Sequence, residues 1–325
     1  MKALDFIGAI ELAYDRTGDQ TAWLEELTRR VAPAFSVASA TTSFFFDLVD
    51  DEATLGSTAS VGDRPHSRED YQRVHREGMT LQSSTRIAYE CDMFTVLSRV
   101  IGVEAASQVI RSAGMDGDDA LGLRANMTPD SGVLFTTHVP RGYRIRQRDL
   151  WTRVAAHVGC ALRLRRTQPP PTPDSAAAVL DARGRLEHGT DATVAARDQL
   201  AASAKDMDRA RGKMRRLDPE AACELWRAMV RGEWSLVDWV DHDGKRFILA
   251  QDNPVPLPAR GALTERERQV VAFAAMGHSN KVIAYDLGLS TGTVSVILRR
   301  AARKLGVLGR AALIRAFRET NRGAR

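Results

Sequence analysis

Apolar positions recur at helical spacing over Leu4 to Tyr14 and again over Trp23 to Val31. The pattern then changes to a run ending in Phe44, Phe45, Phe46, Asp47, Leu48 and Val49, which reads as a strand. Leu121 to Asn126 and Val133 to Val139 are separated by TPDSG, turn chemistry that predicts a hairpin. From about Gln147 to Arg166, Leu150, Val154, His157, Val158 and Leu162 share one face of a predicted helix. Beyond a proline-rich break, AVLDARGRL is strand-like and helices follow. WSLVDWV and RFILA then flank Asp241, His242, Asp243 and Gly244 as a second hairpin. Leu200, Met207 and Met214 fall seven apart, with Ala210 between and Leu217 after, as in a dimerising coiled coil. So few heptads, interrupted by Gly212, favour a helix packed into a core.

The last stretch is the most explicit. Thr264 followed by Glu267 makes a capping box, so a helix should start there and carry Val270, Phe273 and Ala274 inward. Gly277 supplies a stop and Ser279 a new N-cap; the second helix turns Ile283, Ala284 and Leu287 inward and ends at Gly288. Ser290 caps a third helix. At about 100° per residue, Val294, Ile297, Leu298, Ala301 and Leu305 cluster on one side, and Ser295, Val296, Arg299 and Arg303 on the other, with Arg300 on the flank. A polar face alone is ordinary for a surface helix. The order of helices, the short turns and the charge together suit a helix-turn-helix.

These residues resemble the LuxR-type helix-turn-helix regulators. The shared positions are Leu263, Thr264, Arg266, Glu267, Gly277, Ser279, Asn280, Lys281, Ile283, Ala284, Leu287, Ser290, Thr293, Val294, Lys304, Leu305, Val307 and Arg310. Two positions depart: members commonly carry a cation after the Thr-Val pair and a histidine two places on, where this chain has Ser295 and Ile297. The resemblance implies a DNA-binding module in which Ser295, Val296 and Arg299 face bases while Lys281, Arg300, Arg303 and Arg310 hold the DNA backbone. It also implies that the last helix dimerises through Ala312, Leu313, Ala316 and Phe317, residues that could equally close the domain's own core. A two-fold dimer would meet half-sites about 34 Å apart.

Charge separates this stretch from the rest. The chain is +5 overall; from Arg260 onward 13 basic residues face 4 acidic ones, and the preceding 259 residues hold 33 against 37. The basic excess therefore belongs to the end that resembles a DNA module.

Proline-rich breaks at 168–174 and 252–261 divide the chain into 1–167, 175–251 and 262–325. The expected fold class is multidomain: an α+β sensory region followed by an all-α helix-turn-helix domain. The element order of 1–167, above all its closing helix, resembles GAF-type sensory domains. The β-α-β-β order of 175–251 resembles a reduced PAS-type domain.

Other chemistry is poorly supported. Asp47, Asp50 and Asp51 follow an apolar strand, but the rest of a phosphoacceptor pocket is missing, so an exposed strand end is the better reading. No phosphate-binding glycine loop or nucleophile elbow occurs. His66 and His75 are nine apart and His157, His188, His242 and His278 isolated, which disfavours a metal site. Cys91, Cys160 and Cys223 read as reduced, mostly buried thiols. Trp23, Trp151, Trp226, Trp234 and Trp239 read as core first and pocket walls second. No apolar run approaches the roughly 20 residues of a membrane span, and the N-terminus lacks a signal-peptide layout, so a cytoplasmic, non-membrane protein is expected.

The expectation is a non-enzymatic regulator of transcription that binds double-stranded DNA as a homodimer, with RNA polymerase as a protein partner. No cofactor is identified; a small-molecule ligand in residues 1–251 is left open. The rival expectation is an interaction regulator that acts by docking to RNA polymerase or another regulator.

Overall fold

A computed structural model of the chain describes residues 4–35, 40–49, 52–63, 67–74, 93–112, 114–128, 131–167, 170–227, 234–252, 263–305, 307 and 309–322. Helix α1 (Phe6–Tyr14) begins where Asp5 accepts the Gly8 amide, and α2 (Gln20–Val31) where Asp19 accepts those of Thr21 and Ala22. Strands β1 (Ala40–Val49) and β2 (Glu52–Gly62) pair antiparallel. After α3 (Arg68–Arg73) come β3 (Phe94–Val96), α4 (Ser98–Ile101) and α5 (Val103–Ser112). The expected hairpin is β4 (Asp119–Thr128) with β5 (Ser131–Val139), and α6 (Arg148–Thr167) closes the segment. The sheet is antiparallel throughout, in the order β2-β1-β5-β4-β3.

Helix α6 is the hub. The sequence pattern suggests one apolar face, yet every residue from Val154 to Leu164 is buried, because the sheet covers one side and other helices the rest. Gly159 lets it lie close to β4: a Cβ there would stand 2.4 Å from the Asn126 carbonyl oxygen.

The second segment folds as β6 (Ala178–Asp181), β7 (Leu186–Gly189), α7 (Asp191–Ala195), α8 (Arg197–Arg209), a π-helical turn Ala210–Met214, α9 (Arg215–Leu217), α10 (Pro219–Leu225), β8 (Trp234–Val240) and β9 (Arg246–Asp252). Its antiparallel sheet runs β7-β6-β9-β8. Gly212, with φ −72° and ψ −148°, breaks the helix at the expected place. Leu200, Ala204, Met207 and Ala210 are buried while Leu217 is 81% exposed, so this helix packs into the core rather than sustaining a heptad seam. The proline-rich stretch 168–174 does not separate two cores: Phe6, Trp151, Leu180, Met207, Trp226 and Ile248 belong to one contiguous cluster. The break at 252–261 lies, apart from Asp252, outside the described residues, as do Asp50, Asp51, His66, His75 and Cys91.

The chain ends in α11 (Glu265–Ala275), α12 (Asn280–Leu287), α13 (Thr291–Lys304) and α14 (Arg310–Arg322). An α+β region with antiparallel sheets is thus followed by a helical domain with its own core of Val270, Phe273, Ile283, Val294, Leu298 and Phe317. Among the described residues no single helix is long and apolar enough to cross a membrane, and no cluster suits a metal ion.

Candidate nucleic-acid interface

Local chemistry sets the helix boundaries of this domain. Thr264 and Glu267 form a reciprocal capping box at α11, Ser279 accepts the Val282 amide to start α12, and Ser290 accepts the Thr293 amide to start α13. Gly288 ends α12 in the left-handed region at φ 62°, where a side chain would be strained. The chain turns by 104° between α12 and α13, within the range of helix-turn-helix units.

Polar ties hold this geometry. Asn280 donates to Ser295 Oγ at 2.9 Å and accepts from Arg310 at 2.7 Å, joining the start of α12 to α13 and α14. Arg310 also donates to the His278 carbonyl. Arg266 reaches the Leu287 carbonyl and Lys304 reaches Glu267 at 2.7 Å. Burial opposes charge on Glu267, but Lys304 and the Thr264 donors outweigh it and hold that carboxyl below its usual range. The tie that sequence reasoning missed is buried: His278 Nδ1 lies 2.6 Å from Asp286 Oδ2, both side chains almost wholly enclosed. They stand eight positions apart, and no local motif announces the pair.

Helix α13 directs Val294, Leu298 and Ala301 into the core, with Ile297 and Leu305 partly buried against it. On the outer side Val296, Arg299, Arg300 and Arg303 are exposed, and among the described residues these three arginines form no hydrogen bond or ion pair. Ser295 is half-buried, its hydroxyl donating to the Thr291 carbonyl while accepting from Asn280. A groove beside the helix is lined by Arg266, Arg300, Arg303 and Lys304 with Glu267, and by Val296 and Ile297 of α13. Four cations facing one carboxylate make it attractive to a phosphate backbone. Lys281 lies at the start of α12 and Arg310 at the start of α14, the latter engaged within the domain as described. On α14, Leu313 and Phe317 are buried in the domain's own core, whereas Ala312 and Ala316 are half-buried on its flank.

Helix α12 has two occupied faces. Ile283, Ala284 and Leu287 serve the helical domain, as its pattern suggests, but Val282 and Tyr285 belong to the core of the preceding region. Asn126 at the end of β4 donates to the Met276 carbonyl at 2.7 Å, and Lys281 meets Asp149 at 2.9 Å. With side chains 72% and 61% exposed, the latter pair contributes little to stability.

The core of this contact is a directed hydrogen-bond chain. The Tyr285 hydroxyl donates its single proton to the Cys223 carbonyl, so toward His157 Nε2, 3.0 Å away, it accepts. His157 therefore carries its proton on Nε2, leaving Nδ1 to accept from Tyr14 at 3.4 Å. Burial, aided by Arg153, pushes the His157 imidazole down to about 3, and burial raises both tyrosines well above their usual range. A histidine held neutral while its unfolded counterpart titrates near 6.5 means that only the unfolded chain takes up the proton between those values. Stability contributed by this site should thus fall by roughly 1.4 kcal/mol per pH unit as pH drops below about 6.5. Denaturant melts at pH 7 and pH 5 should show a smaller acid loss for His157→Gln than for the parent chain; equal losses would place the acid sensitivity elsewhere.

Comparison with known proteins agrees with this architecture at the C-terminus. Residues 261–317 match the family described as "Bacterial regulatory proteins, luxR family", and the helical module is a LuxR-type helix-turn-helix domain. A curated relative, the "Nitrate/nitrite response regulator protein homolog" of Haemophilus influenzae, is 36% identical over 108 residues, covering 32% of this chain and 48% of the relative. The chain thus spans about half the length of that relative. The solved structure "SdiA in complex with octanoyl-rac-glycerol" aligns over 99% of this chain and 97% of its own at 10% identity, with a TM-score of 0.28. At that score the likeness bears on neither fold nor function.

Proposed function

We propose that this chain is a cytoplasmic transcription regulator that binds double-stranded DNA through its LuxR-type domain under the control of residues 1–251. The observation that carries the reading is the outer face of α13, where exposed Val296 and three arginines with no partner among the described residues sit on the second helix of a helix-turn-helix. Val296 and Arg299 read base edges, an apolar contact suiting a thymine methyl and the guanidinium suiting guanine. Ser295 faces the same groove while holding Asn280. Lys281, Arg300, Arg303 and Arg310 meet phosphates. The chain binds as a homodimer along α14, with Ala312 and Ala316 at the contact while Leu313 and Phe317 brace the helix from within. Residues 1–167, GAF-like, and 175–251, reduced and PAS-like, form the sensory part, and RNA polymerase is the protein partner. No catalysis belongs to this reading.

Gel-shift titration of genomic fragments at about 0.1 M salt tests it, since selective retention is expected. Arg299→Ala should lose about 1–3 kcal/mol and relax preference at one base position. Lys281→Ala should weaken all sequences alike and flatten the salt slope by about one unit. Unchanged binding in both variants, or no selective retention at all, would instead favour a domain that acts by docking to another protein.

A further inference from the structure

A cleft between the first and second segments has a volume of about 710 Å³, within the range of small-molecule sites. Tyr14, Met207, Trp226, Leu236 and Trp239 give it apolar and aromatic walls, and Pro170 and Pro171 border it. Its lining carries Glu11, Asp15 and Asp238 against Arg16 and Arg211. Arg211 bridges Glu11 and Asp238 while lying over the Trp226 ring, and the Arg16 guanidinium bonds Gln251. An anionic ligand would face Glu11, Asp15 and Asp238, while of the two lining cations Arg211 is paired with carboxylates and Arg16 is 9% exposed. The buried indole N–H of Trp226 has no acceptor among the described residues, although the side chain is only 1% exposed.

We propose that this cleft binds an uncharged aromatic small molecule carrying a hydrogen-bond acceptor, and that its occupancy bears on how the DNA-binding domain is held. Such a ligand stacks on the half-buried Trp239 ring, and its acceptor draws the Trp226 N–H, enclosed here beneath Arg211, toward the cleft. Two cleft residues also touch His157. Tyr14 donates to its Nδ1, and Trp226 meets its ring edge-on with centroids 6.5 Å apart. His157 in turn donates to Tyr285 on α12, and Tyr285 donates to Cys223, three residues before Trp226. A shift of Tyr14 or Trp226 on binding is therefore felt at the residue that lodges α12 against α6 and α10. The route is one continuous chain of contacts from cleft to helix-turn-helix.

The regulatory half rests on the sensory role proposed above, so binding and its consequence are read separately. With the full chain, calorimetric titration of 2-acetonaphthone, 2-naphthoate and 2-ethylnaphthalene compares an uncharged acceptor, an anion and a hydrocarbon of one size. The ketone should bind at least tenfold more tightly than the anion. Trp226→Phe should lower ketone affinity about fivefold and leave the hydrocarbon unchanged, and Thr17→Trp, at an exposed cleft-lining position, should abolish binding of both. Ketone binding that survives Thr17→Trp, preference for the anion, or no ketone binding overturns the site. For the coupling, hydrogen exchange across 280–287 should change with ketone in the parent chain and not in Tyr285→Phe. Binding without any such change removes the coupling and the sensory use of the cleft, while leaving DNA binding by α13 untouched.

Discussion

Replacing Val294 by aspartate should unfold the C-terminal helical domain and abolish DNA binding while the preceding region stays folded. Val294 is wholly buried at the start of α13, and it shares a core with Val270, Phe273, Ile283 and Leu298. Losing the valine forfeits about 1.5–3 kcal/mol of apolar burial. Placing a carboxylate there without a partner costs several kcal/mol more, or forces the domain to open and solvate it. Together these approach the whole stability of a small domain, about 5–15 kcal/mol. Hydrogen exchange followed by mass spectrometry distinguishes the outcomes by region. Peptides from 263–305 should lose protection, and peptides from β4, β5 and α6 should keep it. Protection preserved throughout α11 and α13 would mean that α13 presents a different face to the core, and the assignment of Val296 and Arg299 to the outside would fall with it.

That face was legible in the sequence for a physical reason. In α13 the buried and exposed residues alternate with the helical period, and the caps at Thr264, Ser279, Gly288 and Ser290 depend only on neighbours a few residues away. Residues with two partners were harder to read. Helix α12 is buried from Val282 to Leu287, so it shows no polar stripe from which a second contact could be inferred, and Tyr285 gives no sign of reaching Cys223 and His157. Helix α6 conceals its other faces in the same way, since Ala155, Ala156 and Cys160 have no periodicity that points to α1, α10 or α12. Helix α6 ends at Thr167, ahead of the prolines, but a local break says nothing of whether the cores on either side merge. Among the candidate site residues, the outward position of Arg299, Arg300 and Arg303 followed from angle alone. The engagement of Ser295 and Arg310 with Asn280 needed the fold, because it joins three helices that only tertiary packing brings together.

The His278–Asp286 pair is where loss of one side chain should disturb the interface most without touching its DNA-facing surface. Asp286 sits near the C-terminal end of α12, where the helix dipole disfavours a negative charge, and it is fully buried. What holds it there is His278, in the turn that ends α11, and the carbonyl of that histidine accepts from Arg310 at the start of α14. The pair thus fixes the angle between α11 and α12, and through Asn280 the direction in which α13 points. Asp286→Ala leaves His278 buried beside a void and without its partner, a change expected to cost about 3 kcal/mol or more. Its melting transition should fall by several degrees and DNA affinity by at least tenfold, although every proposed DNA contact is retained. An apolar pair, His278→Phe with Asp286→Leu, should recover much of the stability, because two matched hydrophobic groups need no hydrogen bond. Recovery of stability without recovery of affinity would show that the pair's contribution is directional. An unchanged melting curve in Asp286→Ala would mean that the contact does not organise the domain, and that the aim of α13 is set by apolar packing alone.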